Sequence, residues 1–149
     1  MPGVRVFLDS NTILYMHDRR TAAKGARVVA WLRAISQASA ACVNLQVLNE
    51  VTSVMLRKRW YATLEIVFGI VDDLAEFGSA PLGKVEVEAA RLIHARHGYS
   101  WRDSLLLASA LELGCTHFLS EDLQDGQVIA GLTIVDPFAH SPGQFLPAH

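Results

Sequence analysis

The chain has 149 residues, of which 51% are hydrophobic and 19% are charged, and its net charge at pH 7 is −2. This length suits one domain with a core of its own, and the composition excludes a disordered chain. The nearly balanced charge excludes a globally basic nucleic-acid-binding protein, so any nucleic-acid contact must come from local clusters of positive residues.

The mean hydropathy of +0.25 is high for a lone domain, and an apolar interface or a well-buried monomer would each explain it. No apolar run approaches the roughly 20 residues that span a bilayer, and no signal peptide is evident. Cys42 and Cys115 lie in apolar segments, which is typical of buried free thiols in a reducing compartment. We therefore expect a cytoplasmic protein without membrane segments.

The first half of the chain alternates between strand and helix patterns. A β-type run precedes a short polar turn, and later segments repeat apolar residues at the three- and four-residue steps of a helix. The pattern predicts strands at Val4–Leu8 and Ala41–Asn44, and helices at Ile13–His17, Thr21–Ala38, Leu45–Arg59 and Tyr61–Phe77.

The second half continues the alternation and ends in a Pro- and Gly-containing tail. The pattern predicts helices at Lys84–His97 and Trp101–Leu113, strands at Ala80–Leu82, Thr116–Leu119 and Leu132–Val135, and a short loose tail after Phe138. Alternating strands and helices indicate an α/β fold with a largely parallel sheet. In such folds ligands bind at the carboxyl ends of the strands, near the point where the strand order reverses.

Four carboxylates fall at positions where such a site is expected. Asp9 follows the first predicted strand, and Asp122 follows the strand that ends at Leu119. Glu50 lies on an apolar stripe of its helix, and Asp103 opens another helix. Each acid also has a structural interpretation. The alternatives are an Asx turn at Asp9, a contact of Glu50 with Arg57 or a backbone amide, a capping box joining Asp103 to Ser100, and a turn at Asp122, where Glu121 and Asp125 compete for any functional role.

If the four acids converge, they require a cation. Two carboxylates about 4 Å apart repel each other by roughly 4 kcal/mol at an effective dielectric constant of 20. Hard oxygen ligands select Mg²⁺ or Mn²⁺ over softer metals. Such an ion with few protein ligands suits phosphodiester hydrolysis, because it activates water and neutralises charge in the transition state.

Four blocks of sequence resemble the PIN-domain ribonucleases, and most closely the VapC-type toxins of type II toxin–antitoxin pairs. The blocks, in chain order, are FLDSNTILYMHD, NLQVLNEV, GYSWRDSLLLASALELGCTHFLSEDLQDG and GLTIVDPF. The resemblance extends from Val4 to about Phe138. It implies a single domain over residues 1–149 with a three-layer α/β/α fold and a parallel sheet of about five strands.

The resemblance also implies roles for individual residues. The catalytic quartet falls on Asp9, Glu50, Asp103 and Asp122. Asp9, Asp103 and Asp122 would hold Mg²⁺ or Mn²⁺, while Glu50 would position a water. The supporting positions are Asn11, Ser120 and, with a looser match, Asp125. Whether Asp122 or Asp125 lies nearer the metal stays open.

The activity implied is metal-dependent cleavage of single-stranded or loop RNA, such as tRNA or rRNA, by a homodimeric toxin that a cognate VapB-type antitoxin neutralises. We expect Arg102 to contact RNA, and basic or aromatic residues elsewhere to rim the site. The candidates are Arg19, Arg20, Lys24, Arg27, Arg57, Lys58, Arg59, Trp60, Tyr61 and Trp101. Two alternatives remain. One is a catalytically inactive RNA- or protein-binding domain, and the other is an α/β phosphatase, which the amide at Asn11 disfavours.

Overall fold

The computed structural model describes residues 3–147 and contains one five-stranded sheet. The strands are β1 (Val6–Leu8), β2 (Ala41–Cys42), β3 (His117–Leu119), β4 (Val128–Ile129) and β5 (Leu132–Val135). Their order is β2-β1-β3-β5-β4, and all neighbouring pairs are parallel except β4–β5. The predicted three-layer α/β/α class with a largely parallel sheet is confirmed.

Six α-helices connect and cover the strands. They are α1 (Ser10–Leu14), α2 (Ala22–Gln37), α3 (Leu45–Lys58), α4 (Leu64–Ala75), α5 (Lys84–His97) and α6 (Trp101–Glu112), with single 3₁₀ turns at Arg19–Thr21 and Pro142–Gln144. Within residues 3–147, none of these helices combines the length and the apolar character that crossing a bilayer requires.

The order in which the chain adds strands to the sheet reverses at β1. The chain passes from β1 to β2 on one side and later returns to β3 on the other side of β1. Both β1 and β3 are central strands, and Phe7 stacks on Phe118 between them with ring centroids 5.3 Å apart. The residues that follow β1 and β3 therefore lie side by side at the carboxyl edge of the sheet, on either side of this switch point.

The first helix differs from the prediction in a way that matters for the site. α1 begins at Ser10 rather than at Ile13, so Asp9 is the N-cap residue with an extended backbone. The Asp9 carboxylate makes no capping hydrogen bond to the helix. The Asp9 side chain therefore does not form the Asx turn given as its structural interpretation, and its oxygens are available to other partners.

One short strand was predicted wrongly and another was missed. Ala80–Leu82 forms only an isolated bridge, between Ala80 and Asn44. β4 was not predicted at all. It pairs with β5 through a tight turn in which Ala130 and Gly131 have φ angles of 50° and 89°, and this left-handed pair matches the twist of a hairpin.

The tail after Phe138 packs against the domain instead of being loose. Its 3₁₀ turn positions Phe145 beside Trp31, with ring centroids 6.1 Å apart, and beside His117 at 5.2 Å. The Trp31 indole N–H donates to the Pro137 carbonyl at 2.9 Å. These contacts order the segment as far as residue 147, and the last two positions of the predicted tail lie outside the described residues.

The two cysteines are free and buried, as predicted. Cys42 ends β2 and Cys115 precedes β3, on either side of β1. The Arg5 guanidinium donates to Cys42 Sγ at 3.5 Å. The neighbouring Cys115 thiol and this arginine lower the pKa of Cys42, although burial opposes the shift.

Candidate active site

The carboxyl edge of the sheet carries a buried acid and a hydroxyl that binds it. Asp9 follows β1 and is 1% exposed, while Ser120 follows β3 and is fully buried. Ser120 Oγ donates to Asp9 Oδ2 at 3.0 Å and accepts the backbone N–H of Asp122 at 3.2 Å. One hydroxyl therefore connects the ends of two adjacent strands, and it fixes the orientation of the Asp9 carboxylate.

Asp122 lies beside this pair on the solvent side. Its Oδ2 accepts a hydrogen bond from Asn11 Nδ2 at 2.6 Å. Asn11 sits in the first turn of α1, two residues after Asp9. The Asn11 amide therefore holds the Asp122 carboxylate rather than that of Asp9.

Glu50 and Asp103 reach the same edge from two helices. Glu50 lies on α3, whose N-cap residue is Asn44. The Asn44 Oδ1 accepts the Val47 N–H at 2.9 Å. α6 is capped by Ser100, whose Oγ accepts the Asp103 N–H at 3.1 Å. The capping contact therefore uses the backbone of Asp103, and its carboxylate is directed to a different partner, Arg102.

Arg102 is the common partner of three acids. Its Nη2 lies 3.0 Å from Asp9 Oδ1, its Nε donates to Glu50 Oε2 at 2.6 Å, and its Nη1 donates to Asp103 Oδ1 at 2.8 Å. Nη2 also donates to Ser10 Oγ at 2.7 Å. We call Asp9, Glu50, Asp103 and the central Arg102 the acid cluster. The alternative contact of Glu50 with Arg57 does not form, and the partners of this carboxylate are Arg102, Gln46 and Ser10.

Burial and ion pairing act in opposite directions on the cluster. Burial raises the pKa of Asp9 above its ordinary value, and the charge and hydrogen bonds of Arg102 only partly offset this. Burial alone would lower the pKa of Arg102, but its pairs with Asp9 and Glu50 raise it above the usual range. Asp9 is thus a desolvated carboxylate that depends on a nearby cation to stay ionised.

Asp125 takes part in a separate group at the C-terminal segment. Its Oδ1 accepts the backbone N–H of Asp136 at 2.9 Å, and its Oδ2 lies 2.7 Å from Nε2 of His140. We call Asp125, Asp136 and His140 the C-terminal clasp. Both partners of Asp125 belong to the segment after β5, so of the two competing acids it is Asp122 that joins Asn11 and Ser120.

Several residues proposed to rim the site have structural partners instead. Lys24 Nζ lies 2.9 Å from Glu121 Oε1. Arg27 donates to the carbonyls of Pro137 and His140 at 3.1 and 2.9 Å. These two cations hold the chain after β3 and β5, whereas Trp101 is exposed rather than a core anchor.

Sequence reasoning missed two polar residues that support Glu50. Gln46 Nε2 donates to Glu50 Oε1 at 3.1 Å, and Ser10 Oγ donates to Glu50 Oε2 at 3.3 Å. Gln46 precedes Glu50 by four residues on α3, a spacing that puts both side chains on one helix face and that could have revealed it. Within residues 3–147, the buried Gln46 Oε1 has no hydrogen-bond partner.

The donor set fits a hard divalent cation, but its present arrangement fits a guanidinium. The cluster offers only carboxylate oxygens, which Mg²⁺ and Mn²⁺ prefer. Within the described part of the chain, no three His, Cys, Asp or Glu side chains stand close enough together to hold one metal ion. The acids are instead distributed around the three nitrogens of Arg102.

Comparison with known proteins agrees with this architecture. The family model described as PIN domain matches residues 6–124. No curated protein sequence matches the chain. A toxin–antitoxin complex from Klebsiella pneumoniae contains a chain with a TM-score of 0.64 and 15% identity, and the match covers 89% of this chain and 97% of that one.

A second similar structure is that of VapBC2 from Rickettsia felis bound to a DNA fragment from their promoter. Its TM-score is 0.62 at 12% identity, with coverage of 88% of this chain and 97% of that chain. At these identities the two structures establish a shared fold. Together with the family match, they agree with the strand order of the sheet.

Proposed function

The chain belongs to the PIN domain family, and on that premise we propose that it is a divalent-metal-dependent endoribonuclease of the VapC toxin type. One observation carries the proposal: carboxylates from β1, α3 and α6 meet around a single positive group. A cluster of carboxylates at the switch point of an α/β sheet is typical of a site that binds a cation.

Asp9 and Asp103, with Asp122 at the edge, are the residues proposed to hold Mg²⁺. When bound, the ion would supply an activated water and neutralise charge that develops on the scissile phosphate. Glu50 is the proposed group that orients this water or accepts its proton. Its two oxygens are already held by Gln46 and Ser10, which limits its rotation.

The supporting residues orient the acids. Ser120 donates to the oxygen of Asp9 that Arg102 does not contact. Asn11 donates to one oxygen of Asp122. Each hydrogen bond fixes the orientation of a carboxylate at the edge where the cation is proposed to bind.

A basic and aromatic path leads away from the acids and suits an RNA strand. A cavity of about 200 Å³ begins at Asn11 and is lined by Lys58, Arg20 and Trp60. An adjoining cavity of about 300 Å³ shares Arg20 and Trp60 and adds Arg59. Among the described residues Arg20 forms a salt bridge only with Asp18, and the Arg20 side chain is 75% exposed, so a phosphate can compete for it at little cost.

An antitoxin and a second copy of the chain are the proposed protein partners. A cavity of about 390 Å³, with Leu45, Pro81 and Leu82 in its walls, reaches Glu50 itself. A peptide segment lying there would cover one side of the acid cluster. On α4, Leu64 and Phe68 are 61% and 46% exposed, which supports a further apolar contact between chains. The proposed location is the cytoplasm.

A second candidate function is favoured by Arg102. Its guanidinium already pairs with three acids, so a domain that binds RNA or protein without cleaving it would also be stable as it stands. The two functions differ in whether cleavage depends on Mg²⁺ and on the carboxylates.

The test measures RNA cleavage by the purified chain in Mg²⁺ and in EDTA. Two variants at the start of α6 are compared, Asp103→Asn and Ser100→Ala. We expect Asp103→Asn to abolish Mg²⁺-dependent cleavage while leaving the Tm nearly unchanged, since Ser100 rather than the Asp103 carboxylate caps α6. Ser100→Ala should lose about 1 kcal/mol of stability and keep its cleavage rate per folded molecule. Mg²⁺-independent cleavage, or full activity of Asp103→Asn, contradicts the proposal.

A further inference from the structure

Arg102 occupies a position in α6 that ordinary helix preferences do not explain. It is the second residue of the helix, directly after Trp101. The N-terminus of a helix carries partial positive charge and disfavours a cation in its first turn. The reason for an arginine here must therefore lie in what its side chain contacts.

Every nitrogen of the guanidinium contacts the acid cluster. Nε, Nη1 and Nη2 each face a different carboxylate, and the contact distances are 2.6, 2.8 and 3.0 Å. Three negative charges thus share one positive charge supplied by the chain itself. The group that neutralises the proposed metal ligands is a neighbour of one of them, Asp103, in the sequence.

The guanidinium reaches the cluster from the solvent side. The Arg102 side chain is 35% exposed, whereas Asp9 behind it is 1% exposed. Arginine has a long flexible stem, and its backbone is fixed in α6 independently of where the guanidinium lies. The side chain can leave the carboxylates by rotating outward, without unfolding the helix.

We propose that Arg102 is a built-in, displaceable cation that must leave the acid cluster before a divalent ion can bind there. The inference rests on the proposed function, because it concerns the same carboxylates. A divalent ion bound at the Oδ1 atoms of Asp9 and Asp103 would compete with the guanidinium for those oxygens and be repelled by its charge in a partly desolvated site. The apparent metal affinity is then the intrinsic affinity multiplied by the fraction of molecules in which Arg102 has moved away.

The test is calorimetric titration of Mn²⁺ into the metal-free full chain and its variants. We expect Arg102→Gln to bind Mn²⁺ at least about tenfold more tightly than the wild type. Arg102→Lys, which keeps the charge but loses the planar fork, should fall between the two. Equal or weaker binding by Arg102→Gln overturns the inference.

Arg33→Gln is the matched control for the change in net charge. Arg33 is exposed and lies in the last third of α2. The chain after α2 reaches the start of β1, where the Ala40 carbonyl accepts the N–H of Val6 at 2.7 Å. Arg33 is therefore on the side of the sheet where the strands begin, opposite the acid cluster. Its Mn²⁺ affinity should equal that of the wild type. A tightening as large as that in Arg102→Gln would mean that net charge alone is responsible, and the inference would fail.

A measurement on the unaltered chain covers the case in which Arg102→Gln does not fold. The Nε–H signal of Arg102 in ¹⁵N NMR should be shifted and slow to exchange without metal, and should move to the position of a free arginine when Mg²⁺ saturates the protein. A signal that stays in place at saturation overturns the inference while the metal site stands. Absence of Mg²⁺ and Mn²⁺ binding to every variant overturns the inference together with the metal dependence of the proposed function.

Discussion

The acid cluster and the C-terminal clasp use the same kind of residue for different purposes. In the cluster, Asp9 is almost fully buried and burial raises its pKa. In the clasp, Asp125 is exposed, and a backbone N–H from Asp136 with His140 nearby lowers its pKa. The surroundings of Asp125 thus favour its charged form, whereas the burial of Asp9 disfavours its charged form. A buried carboxylate whose pKa is raised by desolvation beside a specific charged partner is a candidate functional group.

The largest expected difference between the two regions concerns catalysis. Asp9→Asn keeps the size of the side chain but removes the buried charge, so we expect Mg²⁺-dependent RNA cleavage to fall on the order of 10³-fold. We also expect Mg²⁺ to raise the Tm of the wild type but not that of Asp9→Asn.

Asp125→Asn is the matched variant in the clasp, with the same change of chemistry. Its cleavage rate and its stabilisation by Mg²⁺ should equal those of the wild type. Equal losses of cleavage rate in Asp9→Asn and Asp125→Asn would mean that Asp125 belongs to the site, and the distinction between the cluster and the clasp would be wrong.

A smaller effect is expected from the amide that supports Asp122. Asn11→Ala removes the 2.6 Å hydrogen bond to that carboxylate, and we expect metal affinity or cleavage to fall about 10- to 100-fold. Gln124→Ala, an exposed amide two residues after Asp122, serves as the control and should leave both quantities unchanged. Wild-type metal affinity and activity in Asn11→Ala would exclude Asp122 from the site.

The smallest effect concerns the pH dependence of the clasp. The hydrogen bond with Asp125 raises the pKa of His140 above its ordinary value of 6.5. The stabilising contact is therefore fully present below pH 6.5 and is lost as the pH rises through the raised pKa. In an NMR titration the His140 ring should titrate above 6.5 in the wild type and near 6.5 in Asp125→Asn. An unchanged midpoint would mean that the two side chains do not interact in solution.

The sequence predicted the acid positions because their surroundings repeat simple rules. Asp9 and Asp122 follow apolar strand runs, and parallel strands end at one edge. Glu50 is an acid on an apolar helix face, a placement that needs a reason. The central helices and strands followed from the same periodicities, which burial of one face imposes on the sequence.

The parts that sequence did not predict depend on contacts between distant segments. β4 has two residues and exists because β5 pairs with it, so its local pattern is too short to detect. Phe145 is held by Trp31, more than a hundred positions earlier in the chain. The direction of Arg102 was also not predictable, since an arginine beside an acid can extend to RNA or fold back onto carboxylates that only tertiary structure brings near.

The most direct test of the central claim is the anomalous scattering of crystals soaked in Mn²⁺. We predict one strong peak against the carboxylate oxygens of Asp9 and Asp103, with the guanidinium of Arg102 moved away from them. A peak only at Asp125 and Asp136, or no peak at saturating Mn²⁺ with Arg102 still bound to its three acids, would contradict it.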